Sequence, residues 1–197
     1  MKKILLTFSL MILLAGICYG QNQLTITEFK NLCDSSGLKF NIPTGYKIID
    51  VRENRDLGYW FAVINSDTTM EIRYTLWSLT PALKKYVESL KDTNSMMIPP
   101  NNIYKGRIQA NVLNITGGQM YDIRAFPSQA VKKEFNADTG GSCFFDLNCE
   151  FGKGYKYGQF MYLHKDNVAD VIVTFMSNNK ETHSELMMIG FHSLTFK

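Results

Sequence analysis

Apolar residues along this chain alternate between two spacings, and the changes of spacing mark out its elements. Thr25 followed by Glu28 forms a capping-box pattern, after which Phe29, Leu32 and Cys33 fall at helical intervals until Gly37. A short first helix is expected there. The run Phe40-Asn41-Ile42-Pro43-Thr44-Gly45-Tyr46 reads as an extended approach and a turn, because Pro43 presets φ and Gly45 accepts a positive one. Three strand-like runs follow, Lys47 to Val51, Tyr59 to Ile64 and Met70 to Trp77, with Asn65-Ser66-Asp67-Thr68 as the hairpin turn between the last two.

Thr80-Pro81 predicts a helix start with Thr80 as cap, and Leu83, Tyr86, Val87 and Leu90 make one apolar face before the pattern stops near Asp92. Beyond Pro99 and Pro100, residues 101 to 116 fit a helix through Tyr104, Ile108, Val112 and Ile115 and a strand through Ile108, Ala110 and Val112; the helix is preferred, closed by Gly117 and Gly118. Gln119 to Phe126 reads as a strand, and Ser128 as the cap of a short basic helix through Phe135. Tyr155 to His164 and Val168 to Met176 are β-rich runs joined at Lys165-Asp166-Asn167, and a last helix over 180 to 193 turns Leu186, Met187, Ile189 and Leu194 inward. Strands and helices do not alternate one to one. That order predicts a single α+β domain over residues 21–197, a mainly antiparallel sheet covered by helices.

The first twenty residues have a different logic. Lys2 and Lys3 precede an apolar stretch from Ile4 to Ile17, and small residues lead up to a cut after Gly20, the signature of a cleavable secretory signal peptide with Gln21 as the new N-terminus. The stretch is shorter than the roughly 20 residues a helix needs to cross a bilayer core. Leu14-Ala15-Gly16-Ile17-Cys18 approaches a lipidation box ending at Cys18, but Ile17 occupies the position that such signals give to a small residue. Periplasmic or secreted localisation is therefore expected, ahead of a lipoprotein.

Cleavage also removes the apparent basic charge. Without Lys2 and Lys3 the 21 basic residues become 19 against 18 acidic, a net charge of +1 in place of +3, which gives no reason to expect nucleic acid as partner. Three cysteines remain, Cys33, Cys143 and Cys149. In an oxidising compartment Cys143 and Cys149, six apart beyond Gly140-Gly141, are the easiest to bridge, with three separate core cysteines as the alternative. His164, His183 and His192 have no metal-ligand spacing to one another or to the cysteines, so neither metal nor cofactor is expected.

The order of a helix, the motif Phe40-x-Ile42-Pro43-x-Gly45-Tyr46, a meander, a central helix, a second half-sheet ending in a long hairpin and a final helix resembles the PsbP/Mog1-like α/β/α sandwich over most of the chain after residue 20. That resemblance implies a binding module. The family includes photosystem accessory subunits, a small-GTPase binder and exported bacterial proteins, and it supplies no catalytic set.

Candidate chemistry is sparse. Asp138-Thr139-Gly140 matches the core of the aspartic-protease motif but occurs once, where that chemistry needs two facing carboxylates, and it reads as a turn. His164 with Asp166 and Asp170 could form a general base with its orienting carboxylate, although no nucleophile motif accompanies it. His183 and His192, nine apart on one helix, do not share a face. Gly152-Lys153-Gly154-Tyr155-Lys156-Tyr157-Gly158 has the composition of a phosphate-binding loop, yet it leads into a strand. Asp146 and Glu150 are too few for a calcium loop.

Aromatic residues on strand-like runs, Tyr59, Trp60, Trp77, Tyr155, Tyr157 and Tyr162, offer the remaining clue, and Trp60, Trp77, Tyr155 and Tyr157 are the candidate ligand contacts. The sequence thus points to a non-enzymatic binding or accessory module for an envelope or extracellular protein or a small ligand. Its rivals are a secreted hydrolase using His164 and an envelope protein that self-associates through a strand edge.

Overall fold

The computed structural model describes residues 23–92, 94, 96–147 and 149–197; the expected signal peptide, its cut at Gly20–Gln21 and Cys18 lie outside them. The chain begins with α1 (Ile26–Ser35), in which the Thr25 hydroxyl accepts from Glu28 N–H and the Glu28 carboxylate accepts from Thr25 N–H, the reciprocal cap that the sequence predicts. Then come β1 (Leu38–Phe40), β2 (Tyr46–Ile49), β3 (Phe61–Asn65) and β4 (Met70–Ser78). They are followed by α2 (Thr80–Ser89), α3 (Pro100–Ile115), β5 (Arg124–Ala125), α4 (Ser128–Phe135) and β6 (Thr139–Asp146). The last elements are β7 (Tyr157–Lys165), β8 (Ala169–Ser177), α5 (Lys180–Gly190) and β9 (Leu194–Phe196).

Seven strands form one sheet in the order β2-β3-β4-β8-β7-β6-β5, every pair antiparallel, while β1 and β9 form a separate antiparallel ribbon. The expected α+β architecture is present. Strand alternation divides the sheet between two cores. On one face Phe61, Ile72, Tyr74, Val173 and Phe175 pack beneath α1, α4, α5 and the ribbon, with Phe29 of α1 stacked on Phe61 at 4.7 Å. On the other, Phe160, Tyr162, Ile172 and Met176 pack against Ile108, Val112 and Ile115 of α3. Burying such a ring or aliphatic side chain contributes about 1.5–3 kcal/mol.

Several expectations need correction. Thr80 and Ser128 are the first helical residues of α2 and α4 and cap neither; Leu79, whose side chain is buried, and Pro127 stand at the cap positions. The apolar face of α2 stays largely outside the core, with no residue of that helix buried, and Ile189 of α5 is exposed while Met187 points inward. Only Arg124 and Ala125 of the Gln119–Phe126 run pair as a strand.

The larger miss is β6. Gly140 and Gly141 suggest a loop, but both are strand residues, and a Cβ on Gly141 would stand 2.5 Å from the Arg124 carbonyl oxygen and 2.7 Å from the Tyr162 ring. Glycine is there to let strands approach closely. Thr139 and Gly140 of the Asp-Thr-Gly motif accordingly open a strand and do not form a turn. The expected Cys143–Cys149 bridge is not formed either. Cys143 is a buried residue of β6 in register with Phe160, Cys149 donates to the Ile115 carbonyl, and both, like buried Cys33, are free thiols.

Candidate functional site

Cross-strand register assembles the polar residues of the α3 face. Trp77, Asp170, His164 and Thr139 stand side by side on β4, β8, β7 and β6. His164 is 2% exposed; its Nδ1 lies 2.6 Å from Asp170 and its Nε2 2.9 Å from Asp166. Tyr104 of α3 stacks on the imidazole at 4.1 Å, and Arg107, one turn on, pairs with Asp170 and lies 4.8 Å over the Trp77 ring. Burial disfavours the charged imidazole, but its hydrogen bonds to both carboxylates outweigh that and raise the pKa above the ordinary histidine value.

The structure therefore brings together the residues predicted around His164, with both ring nitrogens engaged by carboxylates. A general base needs a free lone pair, and here each ring nitrogen lies within hydrogen-bond distance of a carboxylate oxygen. The cluster works as a clamp: with Asn101, which bonds to Asn167 at the β7–β8 turn, it fastens α3 to the sheet.

At the other end of the same face Arg73, 2% exposed, pairs with Glu71 at 2.6 Å, donates to the Phe151 carbonyl and lies between the rings of Tyr59 and Phe151, each 4.6 Å away. Tyr155 donates to the second Glu71 oxygen at 2.9 Å. This network spends the predicted ligand contact Tyr155 on holding the glycine-lysine loop after β6, and Gly158 of that loop is already in β7. Trp77 is likewise engaged beneath Arg107, whereas Trp60 is 40% exposed with its indole N–H given to the Leu76 carbonyl. Asp138 accepts from Asp166 N–H, which with Lys132 beside it holds its carboxyl below the usual range. Asp146 and Glu150 are exposed around the end of β6, and no group of three His, Cys, Asp or Glu side chains among the described residues is placed to hold a metal.

Tyr157 leads to the site that sequence reasoning missed. On the face opposite α3 it stacks with Phe144 of β6 at 6.0 Å; both residues are partly buried, Lys180 lies 5.6 Å over Phe144, and the edge of buried His183 meets the same ring. Gln159 stands opposite Phe144 in register. A groove of about 420 Å³ runs along this end of the sheet, lined by Tyr121, Asp122, Arg124, Ser142, Cys143, Phe144 and Gln159. It exists because β5 is only two residues long: the preceding Ile123 and Tyr121 turn toward the α3 core and leave the edge of β6 open.

Neither a protein-family model nor a curated protein matches the chain.

Proposed function

We propose that the protein is an exported, non-enzymatic binding module that takes its partner at the open end of its sheet, on a PsbP/Mog1-like α/β/α framework. One observation carries this reading: the partly exposed Phe144–Tyr157 pair borders a groove of about 420 Å³ that also offers the Gln159 amide, the Ser142 hydroxyl and Arg124. Aromatic faces beside a few fixed polar groups are what binding surfaces use for affinity and orientation. The N-terminal pattern supports export, with the working chain starting at Gln21.

The test is capture from envelope extract by the tagged chain starting at Gln21, compared with Phe144→Ser and Gln159→Ala. A bound species lost in both variants while their unfolding transitions stay intact supports the module; equal capture by all three overturns the site. Intact mass of the exported protein checks the start at Gln21, and a diacylglyceryl addition at Cys18 would overturn the soluble form.

A hydrolase reading is favoured by the 2.6 Å His164–Asp170 pair and opposed by the engagement of Nε2 with Asp166. Ester or peptide hydrolysis abolished by His164→Gln would restore it.

A further inference from the structure

We propose that the groove binds the C-terminal tail of a partner protein as a short added strand along the edge of β6. This rests on the binding-module reading and specifies its ligand. The Gly140 carbonyl accepts from Phe126 N–H, and Asp146 N–H is directed to the Tyr121 phenol at 3.4 Å; both point to the β5 side of β6. Outward groups recur at every second residue of an antiparallel strand, so Ser142 and Phe144 turn theirs the same way. Ser142 meets Arg124, but β5 supplies no residue opposite Phe144, and among the described residues no main-chain partner replaces it. Phe144 thus presents a free N–H and C=O to the groove, the pair that strand addition uses.

The size of the opening sets the occupant. Arg124 closes it opposite Ser142 and the Tyr121 phenol closes it at Asp146, leaving the length of Cys143 to Phe145. A strand residue fills about 3.4 Å along the chain, 4.8 Å across the sheet and 10 Å through it. The 420 Å³ groove therefore holds about three residues, matching that window and excluding the long edge of a second copy.

A guest running antiparallel to β6 points its C-terminus at Arg124, whose side chain is 86% exposed and only loosely paired with Asp122 at 3.6 Å. A terminal carboxylate there would accept charge-assisted hydrogen bonds from the guanidinium. The guest side chain facing Phe144 adds to the Phe144–Tyr157 row, where an aromatic or aliphatic residue fits.

The probe is a random peptide library displayed with free C-termini and selected on the folded protein. The strongest binder is then synthesised as acid, as amide and with the residue opposite Phe144 N-methylated. Expected results are protection of the Phe144 amide from hydrogen exchange on binding, about tenfold weaker binding of the N-methyl and amide forms, and a similar loss for the acid form with Arg124→Gln.

A library that yields no binder protecting the Phe144 amide, or a binder indifferent to N-methylation, overturns strand addition; equal binding of acid and amide overturns the carboxylate contact. Concentration-dependent dimerisation blocked by Phe144→Ser would assign the edge to a second copy instead. If capture from envelope extract still depends on Phe144 when the peptides fail, the binding module stands and only this mode of binding falls.

Discussion

His183 and His164 are both buried, and their surroundings push them in opposite directions. His183 lies against Ser177, its Nε2 finds no hydrogen-bond partner among the described residues, and burial lowers its pKa to about 4. An unfolded histidine takes its proton near pH 6.5, so the stability from burying the neutral ring is complete above that pH and falls as pH drops toward 4, by about 3 kcal/mol in all. His183→Leu should flatten that acid limb in urea midpoints measured from pH 7 to pH 4; an unchanged limb would place the loss in other groups.

His164 has the reverse sign. Its raised pKa means that the clamp contributes fully below the ordinary histidine value and is lost as pH rises through the raised one. His164→Gln should therefore abolish the decline in stability that sets in as pH rises past the ordinary histidine value, read from urea midpoints with the titration extended upward from pH 7. Asp166 and Asp170 were legible as its partners because they lie beside it in sequence. Tyr104 and Arg107 were not, since only the packing of α3 on the sheet selects them from among the polar residues of that helix.

At the scale of elements, the loop between β6 and β7 is held by the pair that Arg73 and Glu71 make on β4. Arg73→Leu would leave the Glu71 carboxylate buried without its cation, an imbalance that costs about 3–5 kcal/mol. The expected outcome is a matching drop in urea stability, with faster amide exchange across Cys149 to Lys156. Gly141 has a different vulnerability: any side chain there meets the Arg124 carbonyl. Gly141→Ala should lower stability by about 1–3 kcal/mol and accelerate exchange at Arg124 more than at Phe160, as β5 is pushed off its neighbour.

Long periodic elements such as β4, β7, β8 and α3 could be read from the sequence because burial enforces their spacing. β6 could not, since its glycines answer to strands that lie elsewhere in the chain. Phe144, and with it the groove, was hidden by the same misreading.

Across the whole molecule, two cores share one sheet, and the face under α1 is closed by the β1–β9 ribbon, whose Leu38, Phe40, Leu194 and Phe196 are all buried. Truncation before Leu194 removes two of these and exposes the other two. It should abolish cooperative thermal unfolding, whereas Phe29→Ala, which empties a ring position in the same core, should keep a single transition with stability lower by about 3–5 kcal/mol. Three-residue strands this far apart give little local signal, which is why the ribbon is absent from the sequence reading.

The ribbon also sets a timetable for biosynthesis. Leu38 pairs with Phe196, so the first described strand waits for the last, and this core stays open until residues 194–196 have been made. A chain of that kind stays pliable while it is being made, and this core closes only once the last described strand arrives to pair with the first.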